Sequence, residues 1–222
     1  MSDDGPIEFT DVQMARASLI LSLRQHCITQ PDILRAFESV PHEAFIPKDY
    51  AEYAYREGSL PIACGQSITS PSILAAMLVA LEPAHAGKLL EIGTGTGYSA
   101  ALLARLVKRV FTVDRHQELA HLAQASWGQL SISNIVGFHL DGLLGLAGHQ
   151  PFDRILLNGA VTEIPEILLE QLADGGVLVA PVGAGGDRQI ITRIERADDD
   201  FVTTEHGFVR LAALVPGKSR PL

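Results

Sequence analysis

Residues Glu91-Ile92-Gly93-Thr94-Gly95-Thr96-Gly97 interleave glycine with small hydroxyl residues directly after the apolar run Leu89 to Ile92. Glycines at such a turn allow backbone dihedrals barred to other residues and let a ligand approach the main chain closely. Spacing alone leaves cofactor binding and a structural loop equally open. A carboxylate, Asp114, ends Arg109-Val110-Phe111-Thr112-Val113-Asp114 seventeen residues after Gly97. A doubly wound fold places the acid that accepts both ribose hydroxyls there, and the competing role is a strand-end turn or helix cap.

Glu91 decides which ligand the turn suits. A pyrophosphate wants only amide donors and the positive end of a helix dipole, and a carboxylate two residues before Gly93 would repel it. A ligand carrying a sulfonium and an ammonium, such as S-adenosylmethionine, fits the carboxylate better, and the loop has no Lys or Arg for phosphate. A nicotinamide dehydrogenase is disfavoured on the same ground. Asp141-Gly142, after the apolar run Ile135 to Leu140, puts another acid where adenine would sit, with turn formation as its other role.

Upstream, Glu57 to Pro71 is too apolar for a plain surface loop and too rich in Gly, Pro and hydroxyls for an ordinary strand. Ser70 before Pro71 reads as a helix cap with proline in the first turn. Among Ser67, Thr69 and Ser70, one hydroxyl is expected to satisfy free helix amides. Whether another faces the donor methyl or an acceptor carboxylate stays open on the residues alone.

The elements that would position these groups alternate. Helices are expected over Phe9 to Gln25, with Val12, Met14, Leu19, Ile20, Leu21 and Leu23 as its apolar set, over Asp32 to Ser39, from Pro71 to Leu81, from Tyr98 through Val107, over His116 to Leu130 and over Glu166 to Leu172. Strands are expected over Leu89 to Ile92, Arg109 to Asp114, Asn134 to Leu140 and, with its exit loop, Phe152 to Ala160. A turn at Asp174-Gly175-Gly176 leads into Val177 to Gly183, and a terminal hairpin pairs Gln189 to Glu195 with Phe201 to Leu214. This is an α/β chain with a Rossmann-like, doubly wound, mostly parallel sheet of the S-adenosylmethionine-dependent methyltransferase type and a small helical N-terminal subdomain. Residues 1–80 form the helical, substrate-side segment and 81–222 the cofactor-binding core, the whole being one compact unit.

The 222 residues are 47% hydrophobic and 19% charged with a formal net charge of -9, which suits one globular unit and argues against a nucleic-acid partner. No apolar run approaches a membrane span, and Met1 to Gly5 are too polar for a signal peptide. Cys27 and Cys64 read as free thiols with packing roles in a reducing, cytoplasmic setting. His116 and His121 do not share a helix face and the other histidines are scattered, so no metal is expected.

Taken in order, Val40-Pro41, Phe45-Ile46-Pro47, Leu60-Pro61-Ile62, Gly65 to Pro71, Leu90 to Tyr98, Asp141-Gly142, Pro151-Phe152-Asp153 and Gln171 to Gly176 resemble the protein-L-isoaspartate O-methyltransferase family from about Arg16 to Leu214. The resemblance implies a cytosolic enzyme that moves a methyl group from S-adenosylmethionine to L-isoaspartyl carboxylates of flexible, aged polypeptides, leaving S-adenosylhomocysteine. It assigns the cofactor to Gln66, Ser67, Ile68, Thr69, Glu91, Gly93, Thr94, Gly95, Gly97, Asp114, Asp141 and Gly142. The acceptor falls to Glu57, Pro61, Ile62, Ser70 and Asn158, with Thr69 as the catalytic hydroxyl, in a monomer with no nucleic-acid or membrane partner. The chain departs from the family where Ser67-Ile68-Thr69 replaces Thr-Ile-Ser, Cys27 a Gly, His42 an Arg, Glu57 an Asp, Leu140 a Gly and Asn158 a Thr. These changes gather on the acceptor side. Another carboxylate acceptor on the same scaffold, or a silent cofactor-binding module, is therefore the alternative.

Overall fold

The computed structural model describes residues 11–84, 86–184 and 187–219; Met1 to Gly5, the Phe9 start of the first expected helix and His85 lie outside them. The chain opens with α1 (Asp11–Gln25) and α2 (Pro31–Ser39). Proline at the start of α2 gives up no intrahelical hydrogen bond, and the helix buries Ile33, Leu34, Ala36 and Phe37. On α1 the core takes Leu19 and Leu23, one turn apart, whereas Val12, Met14 and Leu21 are exposed. Its apolar stripe is narrower than expected because Met14 and Leu21 lie round the other side of the helix and Val12 two turns beyond the packing. Cys27 is exposed rather than packed, and its φ of +62° is the left-handed backbone that follows the end of α1. That conformation explains why glycine suits the position.

A short antiparallel pair, β1 (Leu60–Pro61) with β2 (Ser67–Ile68), precedes α3 (Pro71–Leu81). The β–α alternation then runs β3 (Lys88–Ile92), α4 (Tyr98–Leu103), β4 (Arg109–Asp114), α5 (Gln117–Gln129), β5 (Ile135–His139), β6 (Phe152–Leu157), α6 (Glu166–Glu170), β7 (Leu172–Val182), β8 (Gln189–Ala197) and β9 (Asp200–Val209). The strands form one seven-stranded sheet in the order β5-β4-β3-β6-β7-β8-β9, parallel as far as β7 and antiparallel thereafter. Successive strand residues alternate between two cores. Leu89, Val110, Leu156, Val177 and Val179 pack with α1 to α4, and Leu90, Phe111, Ile155, Leu157 and Leu178 pack with α6 on the other face. Residue 80, the expected end of the substrate-side segment, lies in the last turn of α3, which packs on β6 to β9. Among the described residues no helix is long and apolar enough to cross a membrane.

The helix expected over Glu166 to Leu172 ends at Glu170, Leu172 already belonging to β7, and three boundaries differ by more than two residues. α4 stops at Leu103, where Leu106 N–H bonds the Leu103 carbonyl and the backbone tightens into turns. Asp174-Gly175-Gly176 is not a free turn but a bulge inside β7: between Phe152↔Leu172 and Arg154↔Val177 the partner strand advances two residues and β7 five, with Gly175 at φ +67°. β9 ends at Val209 instead of 214, because Ala160 N–H donates to the Ala212 carbonyl and Leu214 N–H to the Ala160 carbonyl, drawing the chain away from β8.

His42 is 2% exposed, stacks on the Tyr98 ring with centroids 3.9 Å apart, and bonds the Ala54 carbonyl through Nδ1. Its Nε2 has no partner, and burial pushes its pKa down from 6.5 to about 4. On acidification the unfolded chain takes up this proton near pH 6.5 and the folded chain only near pH 4, so the stability present above pH 6.5 falls across that window by about 3 kcal/mol. Denaturant unfolding from pH 7.5 to 4.5 should show this acid limb, and His42→Phe should flatten it.

Candidate active site

The cleft opens where the chain reverses across the sheet, beyond the carboxyl ends of β3, β4 and β6. β3 delivers Gly93 and Thr94, β4 delivers Asp114, β5 leads to Asp141 and Gly142, and β6 leads to Asn158 and Gly159. Together with Ile62, Gln66, Ser67, Ile68, Thr69 and Gly95, these residues line one open cleft.

Each glycine of the loop has its own reason. Gly93 (φ +95°) leaves room against the Asn158 carbonyl, 3.2 Å from where a Cβ would stand, and Gly95 (φ +54°) faces Ile62 across the cleft. Gly97 (φ +87°) does not line the cleft. It starts α4 where a Cβ would fall 2.7 Å from Trp127 Nε1 and 2.8 Å from Ala123, and its carbonyl accepts the Trp127 indole N–H at 2.9 Å. The sequence assigned Gly97 to the cofactor, whereas here it seats α4 on α5.

Asp114 both lines the cleft and shapes it. Its Oδ2 accepts Gly95 N–H at 2.9 Å and its Oδ1 accepts His116 N–H at 2.8 Å, so the turn-capping role is present beside any ligand role. Burial pushes its pKa up, against the pull of those two amides. Asp141 caps the turn after β5 through Leu143 N–H at 3.1 Å and accepts Gly217 N–H at 2.6 Å. Each of its oxygens keeps a further lone pair.

Beside the glycine loop, buried Thr69 donates its hydroxyl proton to Asn158 Oδ1 at 2.9 Å, and Asn158 Nδ2 lies 3.4 Å from the Gly93 carbonyl. A hydrogen-bonded chain thus joins the hydroxyl-rich segment to the glycine loop. Ser70 stands in the N-cap position of α3, but its hydroxyl makes no bond to the helix amides and lies 3.5 Å from Ser72 Oγ. The amide-satisfying role expected of one hydroxyl is not filled by Ser70.

Glu57, Pro61, Ser70 and Glu91 lie off the cleft wall with Gly97. Glu57 is exposed and accepts the Ser72 hydroxyl at 2.8 Å, while Pro61 is exposed on β1. Glu91 is fully buried because it shares a strand face with Leu89, beneath α4; its Oε2 accepts the Thr112 hydroxyl at 2.6 Å. Burial raises its pKa to about 7, opposed by the Ser99 and Thr112 hydroxyls and reinforced by Asp114.

The cleft also has a wall that the sequence reading missed: Arg210 to Val215, after β9. Leu211 N–H bonds Gln189 Oε1, Leu214 packs where a Gly159 Cβ would stand, and Arg115 Nε donates to the Gly217 carbonyl. The only sequence signal was Gly159, a glycine with no turn of its own to explain it.

Fold and cleft together define the Rossmann-like methyltransferase class. The model of the protein-L-isoaspartate(D-aspartate) O-methyltransferase (PCMT) family matches residues 14–219, and the chain belongs to that family. A protein-L-isoaspartate O-methyltransferase of Maricaulis maris is 42% identical over 204 residues, covering 92% of this chain and 95% of the relative. That of Paracoccus denitrificans is 39% identical and covers 98% of both chains. A solved protein-L-isoaspartate O-methyltransferase superposes with a TM-score of 0.82 at 25% identity, over 91% of this chain and 67% of that one. A Plasmodium falciparum structure of the PCMT type, in complex with S-adenosyl-L-homocysteine, superposes at 0.76 with 19% identity over 93% and 99% of the two chains.

Gly97→Ala should cost about 2 kcal/mol or more through its left-handed φ and the clash with Trp127. Trp127 is the one tryptophan in the chain, so a lower thermal midpoint with a shifted emission maximum would check this directly.

Proposed function

We propose that the chain transfers a methyl group from S-adenosylmethionine to the free carboxylate of L-isoaspartyl residues in flexible, damaged polypeptides, the first step of their repair. The observation that carries this reading is the placement, in one cleft, of the Gly93–Gly95 loop with Asp114 and of the Thr69–Asn158 pair beside it. Residues 1–80 serve mainly the peptide side, with Gln66 to Thr69 reaching the cofactor, and 81–222 mainly the cofactor side, with Asn158 reaching the peptide. The net charge of -9 supports protein over nucleic acid as substrate, and a cytoplasmic monomer suits the small, self-contained site.

The residues present fit the cofactor. Asp114 and Asp141 suit a ribose diol and an exocyclic amine, and the missing Cβ at Gly93 keeps the cleft floor clear beside Asn158. When bound, S-adenosylmethionine supplies an electrophilic methyl on sulfur. The acceptor carboxylate is ionised at neutral pH, so no side chain need remove a proton. Thr69 and Asn158 therefore act by orientation. With the Thr69 proton committed to Asn158 Oδ1, the Asn158 amide N–H groups, held only by the long contact to Gly93, are the donors left to the acceptor carboxylate. Holding the reacting pair in line contributes on the order of 7 to 11 kcal/mol in favourable cases. Glu57, Pro61 and Ser70 border this end through β1 and the start of α3 and are read as outer contacts of the peptide.

Incubation with labelled S-adenosylmethionine and two peptides differing only in L-isoaspartyl against normal aspartyl should label the isoaspartyl peptide alone. Label on the aspartyl peptide, or on neither, would replace this acceptor with another. Asn158→Ala should lower kcat at least tenfold with little change in S-adenosylhomocysteine affinity. Asp114→Asn should show the opposite pattern, weakening that affinity about tenfold or more in calorimetry.

A further inference from the structure

Glu91 is the family motif's carboxylate, yet it is walled off from the cleft. It is 0% exposed beside the Ser99 hydroxyl of α4, and its Oε2 accepts the hydroxyl of Thr112, its register partner on β4, at 2.6 Å. Thr112 Oγ1 in turn lies 2.6 Å from Thr94 Oγ1, and Thr94 lines the cleft. The direction of this chain follows from counting protons. An ionised carboxylate only accepts, so Thr112 spends its single proton on Glu91 and the Thr94–Thr112 bond must use the proton of Thr94. Thr94 is then left with lone pairs alone.

We propose that Glu91 is a positioning residue that acts through Thr112 on Thr94: when ionised it fixes the Thr94 hydroxyl as a hydrogen-bond acceptor on the cleft wall, and when protonated it frees that hydroxyl to donate. The change takes up one proton from solvent at Glu91, and both threonines keep their own protons and only rotate. The proton that Glu91 takes up sits on Oε2, the oxygen facing Thr112; that O–H donates to Thr112, Thr112 donates to Thr94, and Thr94 turns its proton outward. An acceptor beside the glycine loop favours the ammonium end of the cofactor's amino-acid group, and a donor there disfavours it. The inference rests on the cofactor reading above.

The groups facing Glu91 are few. Asp114 lies on β4 with His116 and His139 beyond it, Ser99 comes from α4, and β6 presents only Leu156 in register. Because Asp114, His116 and the ligand's own amine also titrate, the test compares variants across one pH series. S-adenosylhomocysteine is titrated into the protein by calorimetry from pH 8 to 6, while infrared difference spectra of the ligand-free protein follow the protonated carboxyl band.

Wild-type affinity should fall about tenfold more than that of Glu91→Gln over this range, and the carboxyl band should appear on acidification in the wild type and be missing from the variant. In Thr94→Val the band should still titrate, because the Glu91–Thr112 bond is intact, but the excess pH dependence of affinity should vanish. If that dependence survives Thr94→Val, Glu91 acts through space and the relay is wrong. Equal pH profiles for wild type and Glu91→Gln overturn it as well. Absence of binding at every pH, with the band still titrating, would instead remove the cofactor reading and this proposal with it.

Discussion

The cleft depends on one tie between adjacent strand ends: the carboxylate that finishes β4 accepts the amide of Gly95 in the loop that follows β3. Parallel pairing of Leu89 to Ile92 with Val110 to Val113 brings the two ends level, and Gly93 N–H continues the ladder onto the Val113 carbonyl. Past that point the ladder stops and the loop must turn. Asp114 sets how it turns, and by accepting His116 N–H it also sets where α5 begins. Trp127 on α5 then returns to the loop through the Gly97 carbonyl, so the ligand-facing backbone is held from both ends. An anion in this position gives two half-buried amides a charged acceptor.

The same logic extends to the walls. β6 places Asn158 beside Gly93 because its N–H bonds the Ile92 carbonyl at 2.8 Å, which carries the parallel ladder one step past the strand. The segment after β9 reaches the same region by bonding to Ala160, and Asp141 fastens its far end at Gly217. Chain regions distant in sequence therefore meet around a floor made by three strand ends. A site assembled this way is rigid where backbone hydrogen bonds define it, at Gly93, Gly95 and Asn158.

What could be read from the sequence was whatever depends on near neighbours in the chain. The glycine loop between strand and helix, the acid at the end of β4 and Asp141-Gly142 all announce themselves within a few residues, and the structure sets Gly93, Gly95, Asp114, Asp141 and Gly142 around one cleft. Arg210 to Val215 could not be read that way, since their apolar character continues the pattern of β9 and only the bonds to Ala160 divert them. Asp174-Gly175-Gly176 has the composition of a turn and becomes a bulge because β6 offers ladder partners on both sides of it. His42 looked like a polar substitution on a connector, yet it is enclosed because Tyr98 presents a ring face to it. Each of these outcomes was decided by a partner far away in the sequence.

Glu91 shows the limit most clearly, because its type was read correctly and its direction was not. Strand alternation fixes that residues 89 and 91 share a face, but which face meets the cleft depends on how α4 crosses the strand. With α4 above Leu89, the carboxylate falls under the helix, and no change at position 91 alone would turn it toward ligand. What it can reach is Thr112, and through Thr112 the loop. A carboxylate buried this completely is costly when ionised, and an apolar residue on that face would pack against α4 without the cost. The threonine pair recovers only part of that penalty. The arrangement is easiest to understand if the charge is retained for what it does to the hydroxyl at the end of the chain of bonds, on the wall of the cleft.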